Sequence, residues 1–284
     1  MKKFLIYISL LIITIFSISQ LYFHLIRQGN LVKIEKSKLV LIGDSHTEYI
    51  RGDSIYNFSF PGSTYHLHEK FIKTIPLNDK IVVINVAPHN FSDQYHNRFF
   101  SKDASHIDWR QKFFHDLPKA LRLFKFDLIY KYAAVRSFKK FGIGRNIDLN
   151  QKQDLSTARI DFVLNKHYGD STLTDTLEIN AFRRITNYLD NHEIPFILVQ
   201  MPHHPYYWQN IPPRILKRYE GILGEYNNQI RYSLVDTNHY FDGDHVLGRY
   251  QSIYLNSRII QEKLKSISYQ SSLQGNPLMS DTSY

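Results

Sequence analysis

The chain has 284 residues, of which 43% are hydrophobic and 21% are charged, so it can fold around one sizeable core. It contains no cysteine, which excludes disulfides, thiolate metal sites and a cysteine nucleophile. The formal net charge is +9, but several basic residues flank the apolar N-terminal segment and the others are mixed with acidic ones. Because no basic stripe with interleaved aromatic residues is formed, we predict no nucleic-acid partner.

The N-terminal segment, residues 1–27, is predicted to target the chain to a membrane. Lysines precede an uncharged stretch from Phe4 to Ile26, which supplies the roughly 20 largely apolar residues that a membrane span needs. We therefore predict an uncleaved signal anchor, followed by a polar linker at 28–37. A cleaved signal peptide is the alternative, since Ser17 and Ser19 have the spacing that signal peptidase prefers. Either segment places the remaining domain outside the cytoplasm, in the periplasm or at the cell surface.

Short apolar runs that end in turn residues predict buried β-strands after this segment. They occupy Lys38 to Ile42, Ile55 to Phe60, Lys80 to Val86, Pro195 to Met201 and Tyr232 to Val235. Polar residues follow several of these runs, which predicts a site at the carboxyl edge of a parallel sheet.

Helical spacing separates the later strands at Asp175 to Asn191, Arg214 to Asn228 and Tyr250 to Ile267. The alternation of helix and strand predicts an α/β fold, a three-layer doubly wound sandwich with a mainly parallel sheet, over residues 38–268. The polar tail at 269–284 has no periodicity and is expected to be disordered.

A long stretch after the third strand, about residues 92–174, lacks clear strand signals. Its aromatic-rich part, Trp109 to Phe141, is predicted to form two helices. An insertion of this length at the carboxyl edge is either a lid or binding element over the site, or a helical cap that only covers the sheet.

Two short motifs carry the chemistry. The sequence GDSH at 43–46 directly follows the first strand, where Ser45 can present its hydroxyl at the sheet edge and its N–H to an oxyanion. The alternative is a serine that caps a helix in an ordinary βα loop. The sequence DGDH at 242–245 follows the last strand, so that His245 can accept the serine proton while Asp242 fixes its tautomer.

Together the two motifs resemble the SGNH/GDSL hydrolase superfamily, whose first block is Gly-Asp-Ser and whose last is Asp-x-x-His. The resemblance covers about residues 38 to 267 and implies an SGNH/flavodoxin-like fold without a cofactor. Asp242 has the family's offset from His245, whereas the adjacent Asp244 cannot easily reach behind the ring; Asp236 is a further neighbour. By the same resemblance, Asp44 organises the turn rather than doing chemistry.

The resemblance also implies three oxyanion donors. Besides the N–H of Ser45, family members use a glycine after the second strand and an asparagine after the third. Gly62 and Asn90 occupy these positions here, and Asn85 inside the third strand is an alternative to Asn90.

Four further residues are candidates for substrate contacts. His46 replaces the leucine of the namesake motif, near the mouth of the site, and His203 and His204 follow the fourth strand. These two histidines could also bind a metal, but no acidic cluster or HExxH spacing accompanies them, so no metal site is predicted. Tyr206 and the two aromatic residues after it form either a platform for a sugar ring or part of the core.

The resulting expectation is acyl transfer. Ser45 attacks an ester carbonyl, His245 shuttles the proton, and a second nucleophile resolves the acyl-enzyme. Water as that nucleophile makes the protein an esterase, and a sugar hydroxyl makes it an O-acyltransferase. Resemblance to membrane-anchored members of the superfamily implies an acetylated extracytoplasmic glycan as substrate. The alternatives are a lipid or small-ester hydrolase, and an inactive SGNH-fold protein in envelope polysaccharide assembly.

Overall fold

The computed structural model of the protein describes residues 2–59, 63–92, 155–169, 176–232, 236–240, 244–255, 262 and 265–266. The strands within these residues are β1 (Leu39–Gly43), β2 (Ile55–Ser59), β3 (Ile81–Asn85), β4 (Phe196–Gln200) and β5 (Gln229–Arg231). The helices there are α1 (Lys2–Lys36), α2 (Tyr65–Ile72), α3 (Thr157–His167), α4 (Thr176–Asn191), α5 (Pro205–Gln209), α6 (Pro213–Leu223) and α7 (Gly248–Leu255). Short 3-10 helices lie at Pro88–Phe91 and Thr237–His239.

The five strands form one parallel sheet with the order β2-β1-β3-β4-β5. Successive strand residues face opposite sides: Val40 and Ile42 of β1 belong to one hydrophobic core, and Leu41 belongs to another. Because both faces are covered, the strands read as continuous apolar runs instead of alternating ones. The predicted α/β fold with a parallel sheet is confirmed.

Strand β1 lies between β2 and β3, so the chain winds outward from it in both directions. The loops after β1 and β3 therefore diverge and leave a crevice at the carboxyl ends of these two strands, where ligands bind in open α/β sheets. The first predicted motif, residues 43–46, lies at this point.

The described elements differ from the predicted ones at several points. A strand lies at Gln229–Arg231, where Ile230 is buried beside β4. The predicted last strand was Tyr232 to Val235, of which residues 233–235 lie outside the described residues. Helix α6 ends at Leu223, where Gly224 follows, since glycine is a poor helix former. Helix α1 continues to Lys36 and so includes residues 28–36 of the predicted linker at 28–37.

Part of the predicted insertion contributes to the folded body. Helix α3 buries Ile160 and Val163 in a cluster shared with Tyr207 and Ile215 of the segment after β4. The other insertion residues at 93–154 and 170–174 lie outside the described residues, as does the predicted tail from residue 269 onward.

Within the described part of the chain, no helix combines the length and the apolar character that crossing a bilayer requires. The signal anchor at 1–27 stays a prediction.

Two glycines provide a test of the packing where β1 ends. A Cβ on Gly43 would lie 2.6 Å from the Asn85 Cβ and nearer still to Thr47 Oγ1, whereas a Cβ on Gly221 of α6 has no atom within 4 Å. We expect Gly43→Ala to lower the free energy of unfolding by about 1–3 kcal/mol, because the loop after β1 must shift. Gly221→Ala should raise it by about 0.5–1 kcal/mol, because alanine is the better helix former. Urea unfolding of both variants measures the two values, and equal stability would contradict this account.

Candidate active site

The loop after β1 is fixed by hydrogen bonds from β2. Thr47 Oγ1 donates to Ser59 Oγ at 2.9 Å, and Asn57 Nδ2 donates to the Thr47 and Ile50 carbonyl oxygens at 2.7 and 3.1 Å. These bonds connect residues of the loop to side chains of an adjacent strand. The position of Ser45 is therefore set by the sheet.

Asp44, which precedes the candidate nucleophile, is a buried carboxylate that accepts at least five hydrogen bonds. The donors are His46 N (3.0 Å), His46 Nδ1 (2.8 Å), Asn85 Nδ2 (3.0 Å), His89 Nε2 (2.7 Å) and Asn90 Nδ2 (2.8 Å). Burial alone would raise the pKa of Asp44, but the charges and hydrogen bonds of His46 and His89 outweigh it and hold the pKa well below its usual range. The carboxylate is therefore ionised and joins the loops after β1 and β3.

Ser45 and His245 lie in direct contact, although 200 positions separate them in the chain. Ser45 Oγ is 2.7 Å from His245 Nε2, so the hydroxyl donates to the ring when Nδ1 carries the ring proton. The His245 ring also stacks on His46, with centroids 4.5 Å apart and planes inclined by 18°. The two residues predicted as nucleophile and base are thus brought together.

The acidic residues near this pair occupy different positions. Asp244 Oδ2 lies 3.6 Å from His245 Nδ1, which is an ion-pair distance and longer than a hydrogen bond. Asp236 instead accepts from the Asn238 N–H and caps a 3-10 helix. Asp242 lies outside the described residues.

Among the predicted oxyanion donors, the side chain of Asn90 is directed at the carboxylate network. Its Nδ2 donates to Asp44, while its Oδ1 accepts from the Ala87 N–H at 3.0 Å and from the Tyr65 hydroxyl at 3.3 Å. The alternative, Asn85, also donates to Asp44. Gly62 lies outside the described residues.

The four predicted substrate-contact residues divide into two pairs. His46 and His203 are buried, 1% and 6% exposed, with ring centroids 5.2 Å apart, so His46 does not lie at the mouth of the site. His204 and Tyr206 are half-buried, and His204 Nδ1 accepts from the Tyr206 N–H at the start of α5. The first pair belongs to the interior, since both of its rings face other buried side chains.

Three further residues at the site, His89, His167 and Asp244, were not among the predicted site residues. His89 lies in the 3-10 helix after β3, and His167 ends α3 with its Nδ1 3.6 Å from Asp244 Oδ2. The position of His89 directly after a strand was a usable signal, since it precedes the predicted Asn90. The sequence gives no such signal for His167 or for the inward direction of the Asp244 carboxylate, because their contacts depend on distant parts of the chain.

Four buried side chains at the site lie close enough together to bind one metal ion. His46, His89, His203 and Asp244 are all buried, and each offers one ligand atom within 4.8 Å of the others. The sequence predicted no metal here because no single segment contains a recognisable set of ligands.

Comparison with known proteins assigns no family to the chain. No family model and no curated protein matches it. A solved structure described as "a putative platelet activating factor from Streptococcus pneumonia" is similar with a TM-score of 0.37 and 13% identity, over 92% of this chain and 97% of that chain. A TM-score this low supports no conclusion about function.

A further buried histidine supports the turn at Gly43. Ser63 Oγ donates to the Gly43 carbonyl oxygen at 2.5 Å, so His68 Nε2, 3.0 Å away, must donate to Ser63 Oγ. Burial lowers the pKa of His68 from 6.5 to about 4, against the opposing charge of Asp44. His68 is therefore neutral in the folded protein at pH 7.

We expect His68 to make folding pH-dependent. Its pKa is lower in the folded than in the unfolded chain, so its contribution is complete above about pH 6.5 and declines as the pH falls toward the folded value. Urea unfolding between about pH 7.5 and pH 4.5 should show that His68→Gln removes about 2–3 kcal/mol of the loss seen in the parent. The exposed His192→Gln is the control, and an identical pH profile for parent and His68→Gln would contradict the prediction.

Proposed function

We propose that this chain is a serine esterase or O-acyltransferase that acts on ester-linked acyl groups, above all acetyl groups, of an extracytoplasmic glycan. The observation that carries the proposal is the 2.7 Å contact between Ser45 Oγ and His245 Nε2. Ser45 lies in the loop after β1, an interior strand, at the carboxyl edge of the parallel sheet. A serine hydroxyl paired with an imidazole at such an edge is the arrangement that activates a nucleophile.

The proposed reaction begins with attack of Ser45 Oγ on the ester carbonyl carbon. The hydroxyl proton passes to His245 Nε2, which then delivers it to the departing alcohol. An acyl-serine results, and water or a sugar hydroxyl attacks it with His245 as base. The contact supports this sequence because it requires no rearrangement before the proton moves.

The oxyanion would be held by the N–H groups of Ser45 and Gly62 and by the side chain of Asn90. An asparagine amide has two hydrogens, and the bond to Asp44 uses one of them. The second is available to an oxyanion, while the bond to Asp44 fixes the orientation of the amide. This preorganisation is what makes oxyanion donors effective.

We assign the acid of the triad to Asp242 because of its offset from His245, as in the SGNH/GDSL superfamily. Asp244 is the competing residue, since its Oδ2 lies 3.6 Å from His245 Nδ1. Its carboxylate is directed into the cluster of buried histidines, with Oδ1 3.0 Å from His46 Nε2. Because the Asp244 carboxylate already contacts His46, we favour Asp242 as the acid that pairs with His245.

The strand order supports the finer fold assignment, an SGNH/flavodoxin-like three-layer sandwich with an insertion after β3. The order β2-β1-β3-β4-β5 is one of the two common doubly wound orders. With the predicted anchor at 1–27, the body would face the periplasm or the cell surface and there meet envelope glycans.

The groups around Ser45 favour a polar substrate over a lipid. The described neighbours are imidazoles, carboxylates and the amide of Gln251, whose Nε2 donates to the Ser45 carbonyl oxygen at 3.4 Å. The half-buried Tyr206 could supply an aromatic surface for a sugar ring.

We expect the full chain, purified in detergent, to hydrolyse 4-nitrophenyl acetate. Ser45→Ala and His245→Ala should each lower kcat/KM about 1,000-fold or more, since both remove a group that moves in the transition state. The exposed Ser54→Ala is the matched control and should keep the parental rate. Equal rates for the parent and Ser45→Ala would exclude Ser45 as the nucleophile, and circular dichroism would show that each variant is folded.

A second comparison assigns the acid. Asp242→Asn should lower kcat about 100- to 10,000-fold without changing KM greatly, because the imidazole then loses the group that fixes its tautomer. Asp244→Asn should mainly lower the midpoint of thermal unfolding, because the cluster of histidines loses its counter-charge. Parental activity in Asp242→Asn, together with an inactive but folded Asp244→Asn, would transfer the role to Asp244.

A further inference from the structure

A buried group of three histidines and one aspartate, here called the His/Asp cluster, lies behind the Ser45–His245 pair. It comprises His46, His89, His203 and Asp244. Asp244 Oδ1 is 3.0 Å from His46 Nε2, 3.5 Å from His203 Nε2 and 3.9 Å from His89 Nδ1. Three ring nitrogens thus converge on one carboxylate oxygen.

The sheet provides a rigid frame for this cluster. His46, His89 and His203 each lie within a few residues of the carboxyl end of β1, β3 or β4, three adjacent strands of the sheet. Asp244 precedes α7 and completes the set. Ligands held by adjacent strands keep their separation, which is a requirement for selective metal binding.

Two of the three rings are oriented through their other nitrogen by the same carboxylate. Asp44 accepts from His46 Nδ1 at 2.8 Å and from His89 Nε2 at 2.7 Å. These bonds place the proton on the nitrogen that faces Asp44 and leave His46 Nε2 and His89 Nδ1 as lone-pair donors on the side of Asp244. A histidine that binds a metal almost always donates its second N–H to a carboxylate or carbonyl group in this way.

His203 gives an independent indication of a ligand. Its side chain is fully buried, and neither of its ring nitrogens makes a hydrogen bond to any described residue. A buried ring nitrogen that makes no hydrogen bond is unfavourable, so a cation bound at His203 would remove a penalty.

Two buried carboxylates face this group of rings. Asp44 and Asp244 are 1% and 0% exposed, and they lie 2.7 Å from His89 Nε2 and 3.0 Å from His46 Nε2, respectively. Carboxylates in a protein interior are paired with positive groups or bind metals. A divalent cation between the rings would offset both of them.

We propose that His46 Nε2, His89 Nδ1, His203 Nε2 and one carboxylate oxygen of Asp244 bind a divalent transition-metal ion, with zinc as the best fit. Imidazole-rich sets suit zinc and its neighbours, whereas magnesium and calcium prefer oxygen ligands. Zinc–ligand bonds of about 2.1 Å in a tetrahedron place ligand atoms about 3.4 Å apart. The cluster needs only modest contraction to reach this, since its atoms already lie within 4.8 Å of one another.

The site is of the structural kind, because four protein ligands close the coordination shell and all four are buried. The metal therefore has no open position at which the ester proposed for Ser45 could bind. It fixes His46, on which the His245 ring stacks, and Asp244, which faces His245 Nδ1. The inference goes beyond the proposed function and does not depend on it.

The test uses the full chain, purified in detergent without a histidine tag, stripped with a chelator and incubated with zinc chloride before desalting. We expect inductively coupled plasma mass spectrometry to find one zinc ion per chain, and zinc to raise the midpoint of thermal unfolding. Cobalt in place of zinc should give the intense visible absorption of a tetrahedral site. Ser45→Ala should bind zinc as the parent does, which separates the result from catalytic activity.

His203→Ala and Asp244→Ala should lose the bound zinc and the thermal shift. The matched control is His204→Ala, since His204 is the next residue in the chain but is directed at the Tyr206 N–H. It should retain both the stoichiometry and the shift. Absence of zinc from the folded parent, undiminished zinc in His203→Ala, or equal loss in His204→Ala would each overturn the proposal.

Discussion

The ionised carboxylate of Asp44 is the group on which the rest of the site depends. An ionised carboxylate in the interior is unfavourable unless charged or polar donors surround it. The donors come from the end of β3 and from the loops after β1 and β3, so satisfying one carboxylate fixes His46, His89 and Asn90 together. Ser45 is the next residue in the chain, and its geometry is a consequence of this arrangement.

The parallel sheet explains which of these features the sequence could predict. Strands β1 to β4 are buried on both faces and read as short apolar runs, so their positions followed from hydrophobicity alone. Ser45 and His245 each follow a strand, and carboxyl ends of parallel strands share one edge, so their meeting was predictable. The strand at Gln229–Arg231 was not predicted, because an edge strand that buries only Ile230 gives almost no apolar run.

The environment of individual histidines could not be predicted in this way. A sequence shows that His46 and His203 lie near the sheet edge, but the direction of a ring depends on partners far along the chain. A hydrogen bond to Asp44 holds the His46 ring in the interior, and the Tyr207 ring stacks on His203 with centroids 5.5 Å apart. The same limit applies to Asp244, whose neighbour His245 is directed at Ser45 while its own carboxylate is buried.

Stacked imidazoles connect the buried carboxylates to the candidate base. His46 stacks on both His89 and His245, with centroids 4.8 and 4.5 Å apart. A positive charge at His46, or on a metal that it binds, would oppose the imidazolium that the proposed acyl transfer would form on His245, because charges at such distances interact by several kcal/mol. The carboxylate of Asp244, 3.6 Å from His245 Nδ1, would instead stabilise an imidazolium on His245. The occupancy of the His/Asp cluster would therefore set the balance between these two effects, and so the strength of His245 as a base, without the metal touching the substrate.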